Sequence, residues 1–115
     1  MNVEFEYCYR DWGNFKRFGA VIFENRNQLA VDEIRRRVLR ASCEGQWFNA
    51  THVRLPELYF PNCPFDPDLD HEFHEFRSAS ETELVADDSH NRDILDFLSE
   101  MEGSVYARQQ LGAVL

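Results

Sequence analysis

The sequence predicts an α+β domain, a small antiparallel sheet with two helices packed on one face in the order β-β-α-irregular-β-α. Three observations carry this. Apolar and polar residues alternate near the N-terminus, and two later segments repeat apolar residues at intervals of three and four. The chain of 115 residues is the size of one domain, and its 43% apolar content includes ten Phe, four Tyr and two Trp. So many large apolar groups exclude a disordered acidic chain and supply the core. The expected division is a single domain over 1–103 followed by a C-terminal tail or short helix over 104–115.

Each element has its own signal. Val3, Phe5, Tyr7 and Tyr9 alternate with Glu4, Glu6, Cys8 and Arg10, which predicts a strand over 3–10 with one buried face. Asp11-Trp12-Gly13-Asn14 is turn chemistry, and the β-rich run from Phe18 to Glu24 completes an antiparallel hairpin. Asn25-Arg26-Asn27 breaks the pattern. Val31, Ile34, Val38 and Ala41 then mark one face of a helix over 30–43. Asp32 and Glu33 in its first turn and Arg40 in its last suit the helix dipole, and Gly45 stands where a left-handed cap is expected. Pro56, Pro61 and Pro64 leave only short extended pieces at Trp47-Phe48 and His52–Leu55. The run from His71 to Ser78 reads as a third strand, although Phe73 and Phe76 have opposite parity. Ser89 or Asn91 is expected to cap a final helix over 91–102 with Ile94, Phe97, Leu98 and Met101 on one face, ended by Gly103.

The function classes narrow mainly by exclusion. Three scattered cysteines, Cys8, Cys43 and Cys63, argue for a reducing compartment, and the N-terminus has neither the basic nor the apolar region of a signal peptide, so a cytoplasmic setting is expected. There is no Gly-x-Ser-x-Gly, no phosphate-cradling Gly-rich loop and no His-Glu-x-x-His, so no catalytic residue and no cofactor is assigned. Asp66 to Glu72 begins like a calcium loop but has His71 and Arg77 where Gly and Glu are required. Cys63, His71 and His74, with His52 or His90, are the right residue types for zinc without its usual spacing, and no metal is assigned. Paired carboxylates such as Glu72/Glu75 or Asp87/Asp88 become acid-base candidates only in a concave pocket holding a buried carboxylate or imidazole. The one basic cluster, Arg35, Arg36, Arg37 and Arg40, is answered locally by Asp32 to Arg36 and Glu33 to Arg37, which speaks against direct nucleic-acid binding.

The strongest positive signal is charge. Between Asp66 and Glu102 stand 13 acids against only Arg77 and Arg92, a charge of −11 in a molecule whose total is −9. A regional negative field attracts basic surfaces and repels nucleic acid and anionic membranes. The acids on the helix over 91–102 are its ordinary wet face, so the charge to be explained lies between Asp66 and Asp88. Asp66, Asp68, Asp70, Glu72, Glu75, Glu81, Glu83, Asp87 and Asp88, with Tyr59 and Phe60 as aromatic anchors, form the expected partner-binding set. Alternate acids on an extended segment recur about 6.6 Å apart, roughly two phosphate steps of one DNA strand. The expected function is therefore a non-catalytic protein docking on a basic partner, such as a nucleic-acid-binding protein whose groove it fills by imitating nucleic acid. The alternatives are a housekeeping domain with a merely solvated acidic face, or a small metal protein or enzyme.

Tyr9-Arg10-Asp11, Gly13-Asn14-Phe15-Lys16, Gly19, Phe48, Val53-Arg54-Leu55-Pro56-Glu57-Leu58 and His74-Glu75-Phe76 resemble a group of short bacterial proteins of unassigned function, over roughly residues 7 to 100. That resemblance implies a hairpin, a Pro-bounded segment and a strand, and no activity. In its general character, small, acidic and without catalytic motifs, the chain is similar to phage-encoded inhibitors of bacterial defence.

Overall fold

The computed structural model describes residues 1–11, 13–59 and 73–104. It is an α+β fold with the elements β1 (Asn2–Arg10), β2 (Lys16–Phe23), α1 (Val31–Ala41), β3 (Trp47–Asn49), a 3₁₀ turn (Thr51–Val53), β4 (Phe73–Thr82) and α2 (Ile94–Glu102). The four strands form one antiparallel sheet in the order β2-β1-β4-β3. The segment over 104–115 lies outside the described residues from 105 onward.

The alternation in β1 divides the sheet into two faces. Val3, Phe5 and Tyr7 join Val21, Phe23 and Ala79 beneath Ile34 and Val38 of α1 and Phe97, Leu98 and Met101 of α2. Phe5 and Phe97 meet edge to face at 5.0 Å, and Phe23 stacks on Phe97 at 4.6 Å. The opposite face carries Glu4, Glu6, Cys8 and Arg10, paired with Ile22, Ala20, Phe18 and Lys16. The parity conflict in β4 is real: Phe73 and Phe76 lie on opposite faces. A bulge beside Glu6 and Tyr7 adds Arg77 between Phe76 and Ser78, which turns Ala79 back into the core.

Several boundaries differ from the sequence reading: β2 begins two residues before Phe18, at Lys16, and β4 runs four residues past Ser78, to Thr82. α1 stops at Ala41, where the Ser42 hydroxyl donates to the Val38 carbonyl (2.7 Å). Gly45, with φ 74°, instead shapes the turn between Cys43 and Trp47. α2 is capped by Asp93, which accepts from the Leu95 amide (3.1 Å) while Asp96 accepts from the amide of Asp93 (3.2 Å), a capping box. The expected caps sit in the preceding turn, where Asn91 is left-handed (φ 53°). The irregular stretch does contain a strand at Trp47–Asn49, but the piece expected as extended around His52 is the 3₁₀ turn. No helix among the described residues is long and apolar enough to cross a membrane.

Candidate functional site

The acids expected to face a partner have several different environments. Asp66, Asp68, Asp70, Glu72 and Phe60 lie outside the described residues. Tyr59 is half-buried, meets Tyr9 edge to face at 4.8 Å, and its carbonyl accepts from Arg17 Nη1 (2.7 Å). Glu81, Glu83 and Asp87 are exposed, whereas Glu75 and Asp88 are buried.

Asp88 belongs to an internal hub. Arg92, only 5% exposed, donates from Nε and Nη2 to both Asp88 oxygens (2.9 Å each), and its remaining donors reach the carbonyls of Val53 (2.6 Å) and Arg54 (3.0 Å) and the carboxylate of Glu100. Its guanidinium also lies 5.5 Å from the Phe23 ring and 5.3 Å from the Phe97 ring. Burial pushes the Asp88 carboxyl up, but its bonds to the Arg92 side chain and backbone outweigh this and hold it below the usual range. An acid so placed ties the loop before α2 to the 3₁₀ turn and has nothing left for a partner. The i,i+4 spacing of Asp88 and Arg92 was visible in the sequence; its burial was not.

Glu75 lies at the floor of a cleft of about 530 Å³ lined by Arg10, Gln46, Trp47, Phe73 and Glu75, at the open end of the sheet. Arg10 grips its carboxylate through Nε (2.9 Å) and Nη2 (3.3 Å), the Trp47 indole donates to it, and the Cys8 thiol lies 3.8 Å away. Burial raises this carboxyl, yet the Arg10 bond and charge prevail and its pKa is lowered. The same burial, with the Glu75 charge, pushes the Cys8 thiol up. This is the concave pocket with a buried carboxylate that an enzyme reading requires, but a carboxylate held ionised by three kinds of donor is a poor proton acceptor. The neighbouring thiol, kept protonated, is a poor nucleophile.

His74 is fully buried behind this cleft among Tyr7, Tyr9, Phe48 and Tyr59, and its Nε2 accepts from the Leu58 amide (2.9 Å). With Tyr7 Oη donating to the Pro56 carbonyl (2.6 Å), it pins the Pro-bounded segment to the sheet. Cys63 and His71 lie outside the described residues, and among the described ones no three His, Cys, Asp or Glu side chains gather as a metal cluster. The basic helix is answered differently than its spacing suggested. Arg35 pairs with Asp32 (3.3 Å), Arg36 with Glu33, and Arg37 reaches α2, where its Nε lies 3.0 Å from Glu102.

What remains outward is a patch at the far end of the sheet. The exposed acids Glu81, Glu83 and Asp87 flank Leu84 (59% exposed) and Val85 (84% exposed) along the chain, beside a hollow of about 520 Å³ whose lining includes Met1, Glu24, Arg26, Glu83 and Val85, with Arg26 paired to Glu24. Nothing in the sequence singled out these two aliphatics. No family model, curated protein or solved structure matches the chain.

Proposed function

We propose that this chain is a non-catalytic binding protein that docks its acidic surface on a basic protein partner. The observation that carries the reading is the segment over 81–87, where exposed Leu84 and Val85 are flanked along the chain by the exposed acids Glu81, Glu83 and Asp87. An apolar centre with a charged rim is the anatomy of a protein interface, and the negative rim selects a basic counterpart. In its finer form the reading makes the partner a nucleic-acid-handling protein, with carboxylates taking the place of phosphates. The bacterial defence nucleases are the class that the resemblance to phage inhibitors brings forward.

The test is affinity capture from a bacterial lysate at low and high salt, comparing the wild-type chain with Glu81→Gln/Glu83→Gln/Asp87→Asn and with Leu84→Ser/Val85→Ser. Asn at 87 keeps the side-chain oxygen that accepts from the Ile22 amide (2.7 Å), so the fold is preserved. The first variant should lose most of the salt-sensitive capture and the second should lose the same partner at both salts. Equal capture by all three proteins refutes the reading.

A further inference from the structure

The edge of the sheet at β2 carries a second surface, one that the acidic patch does not use. The Asp11 amide donates to the Phe15 carbonyl (3.0 Å), and with the β1–β2 register this makes Arg17, Gly19, Val21 and Phe23 the residues whose backbone groups face β1. Lys16, Phe18, Ala20 and Ile22 therefore turn their N–H and C=O groups outward. Ile22 is closed by Asp87, whose amide donates to its carbonyl (3.0 Å) and whose side chain accepts from its amide (2.7 Å). Among the described residues nothing closes Lys16, Phe18 and Ala20. The open stretch is symmetric about Phe18.

We infer that this stretch of β2 pairs antiparallel with the β2 of a second copy of the chain, about a two-fold axis at Phe18. In that register Phe18 faces Phe18 of the copy and Lys16 faces Ala20 of the copy, so all three open residues are paired. Moving the axis by one or two residues in either direction brings in the closed Ile22 or leaves one of the three unpaired. The contact is self-complementary and closes at two copies.

Charge selects this occupant. Lys16 is exposed and Glu6 half-buried, and neither has an ion pair among the described residues. Glu6 is the β1 partner of Ala20, on the sheet face opposite the helices. In the two-fold arrangement Lys16 of the copy lies on that face just beyond Ala20, about 10 Å or two strand spacings from Glu6. The two long side chains meet over the methyl of Ala20, and symmetry makes the pair twice. Between them the two Phe18 rings meet, each 53% exposed in the single chain and each with an Arg77 guanidinium 5.7 Å from its centre. Lysine on an edge strand ordinarily wards off pairing; here Glu6 answers it. An acidic peptide on the same edge would leave Glu6 unanswered and enter against the field of a −9 molecule. Three residues a side make a small interface, so dissociation in the micromolar range or weaker is expected.

Sedimentation equilibrium of the full chain over a wide concentration range tests this, with a reversible monomer–dimer equilibrium expected. Lys16→Glu or Glu6→Lys alone should weaken dimerisation about tenfold, because two ion pairs become two like-charge contacts. The exchange Glu6→Lys/Lys16→Glu should restore it. Ala20→Pro removes an outward N–H without touching the ladder to β1, and should abolish the dimer while circular dichroism stays native. A chain that is monomeric at every concentration, single charge reversals that leave the dimer as strong as wild type, or an exchange that fails to restore it overturns the inference; should Ala20→Pro unfold, the charge variants alone decide.

Discussion

Replacing Arg92 should unfold much of what joins the sheet to α2, although the residue stands in the most acidic part of the sequence. Arg92→Met keeps the aliphatic stem against Phe23 and Phe97 but removes the five bonds from Nε, Nη1 and Nη2 to Asp88, Val53, Arg54 and Glu100. It leaves the Asp88 carboxylate, 7% exposed, without its counter-charge. Breaking a buried pair from one side costs about 3–5 kcal/mol, a large share of the roughly 5–15 kcal/mol that holds a domain together. Part of that cost is the stranded charge, and part the lost bonds to Val53, Arg54 and Glu100. Arg92→Met/Asp88→Asn should therefore recover about 1–2 kcal/mol relative to Arg92→Met, because Asn still accepts from the Arg92 amide and is neutral. Urea unfolding followed by tryptophan fluorescence gives each value. A loss below about 1 kcal/mol for Arg92→Met, or no recovery in the double variant, would refute the reasoning that this ion pair holds the loop to the fold.

Acidification should destabilise the protein through Glu75, Asp88 and Glu102, all held below the usual carboxylate range, the last chiefly by its bond to Arg37. A lowered folded-state value means a contribution that is complete above the ordinary carboxylate pKa and is lost as pH falls through the folded one, so Glu75→Gln and Asp88→Asn should each flatten the acid limb of stability against pH; an unchanged limb rejects the assignment. Gly19→Ala and Gly45→Ala should separate packing from backbone strain by thermal unfolding. At Gly19 a Cβ would come within 2.8 Å of Leu58 Cδ2, so overpacking of about 1–3 kcal/mol should loosen the segment that Leu58 anchors to His74. At Gly45, φ is 74° with nothing within 4 Å, so only the left-handed backbone cost of about 1 kcal/mol should appear. Equal losses accompanied by the same release of residues 55–59 would contradict that division.

The elements were legible where burial repeats with a fixed period. Val3, Phe5, Tyr7 and Tyr9 announced β1, and Ile34 with Val38 and Ile94 with Phe97, Leu98 and Met101 announced the helices, because one buried face is what fixes each of them. Boundaries set by contacts distant in sequence were not legible. The α2 cap moved from Ser89 or Asn91 to Asp93 because Asp93 also accepts from the Arg26 amide (2.9 Å) and the Ile94 amide donates to the Glu24 carbonyl (2.8 Å), bonds that exist only once β2 is in place. The site was less legible still. Glu75 reads as one acid among many until Arg10, 65 positions away, is laid beside it, and Leu84 and Val85 gain meaning only because the fold leaves them uncovered.

That distance effect also explains the charge segregation itself. Nine acids of the acidic stretch fall within 73–102, and the fold uses seven of them: Glu75, Asp88, Glu100 and Glu102 in ion pairs, Asp93 and Asp96 as the cap of α2, and Asp87 as the acceptor of the Ile22 amide. Of the arginines in those ion pairs, Arg10, Arg37 and Arg54 come from the half of the chain that is nearly neutral in sequence, and only Arg77 and Arg92 are local. The two halves are thus counter-ions to one another, and a count along the sequence overstates the field that the folded protein presents. Within the described part of the stretch the exposed acids without an ion pair are Glu81, Glu83, Asp87 and Asp96, and the first three flank the exposed aliphatic pair along the chain. A charge that survives internal neutralisation at one place, beside apolar surface, is better placed to recognise a partner than the same charge spread over a solvated face.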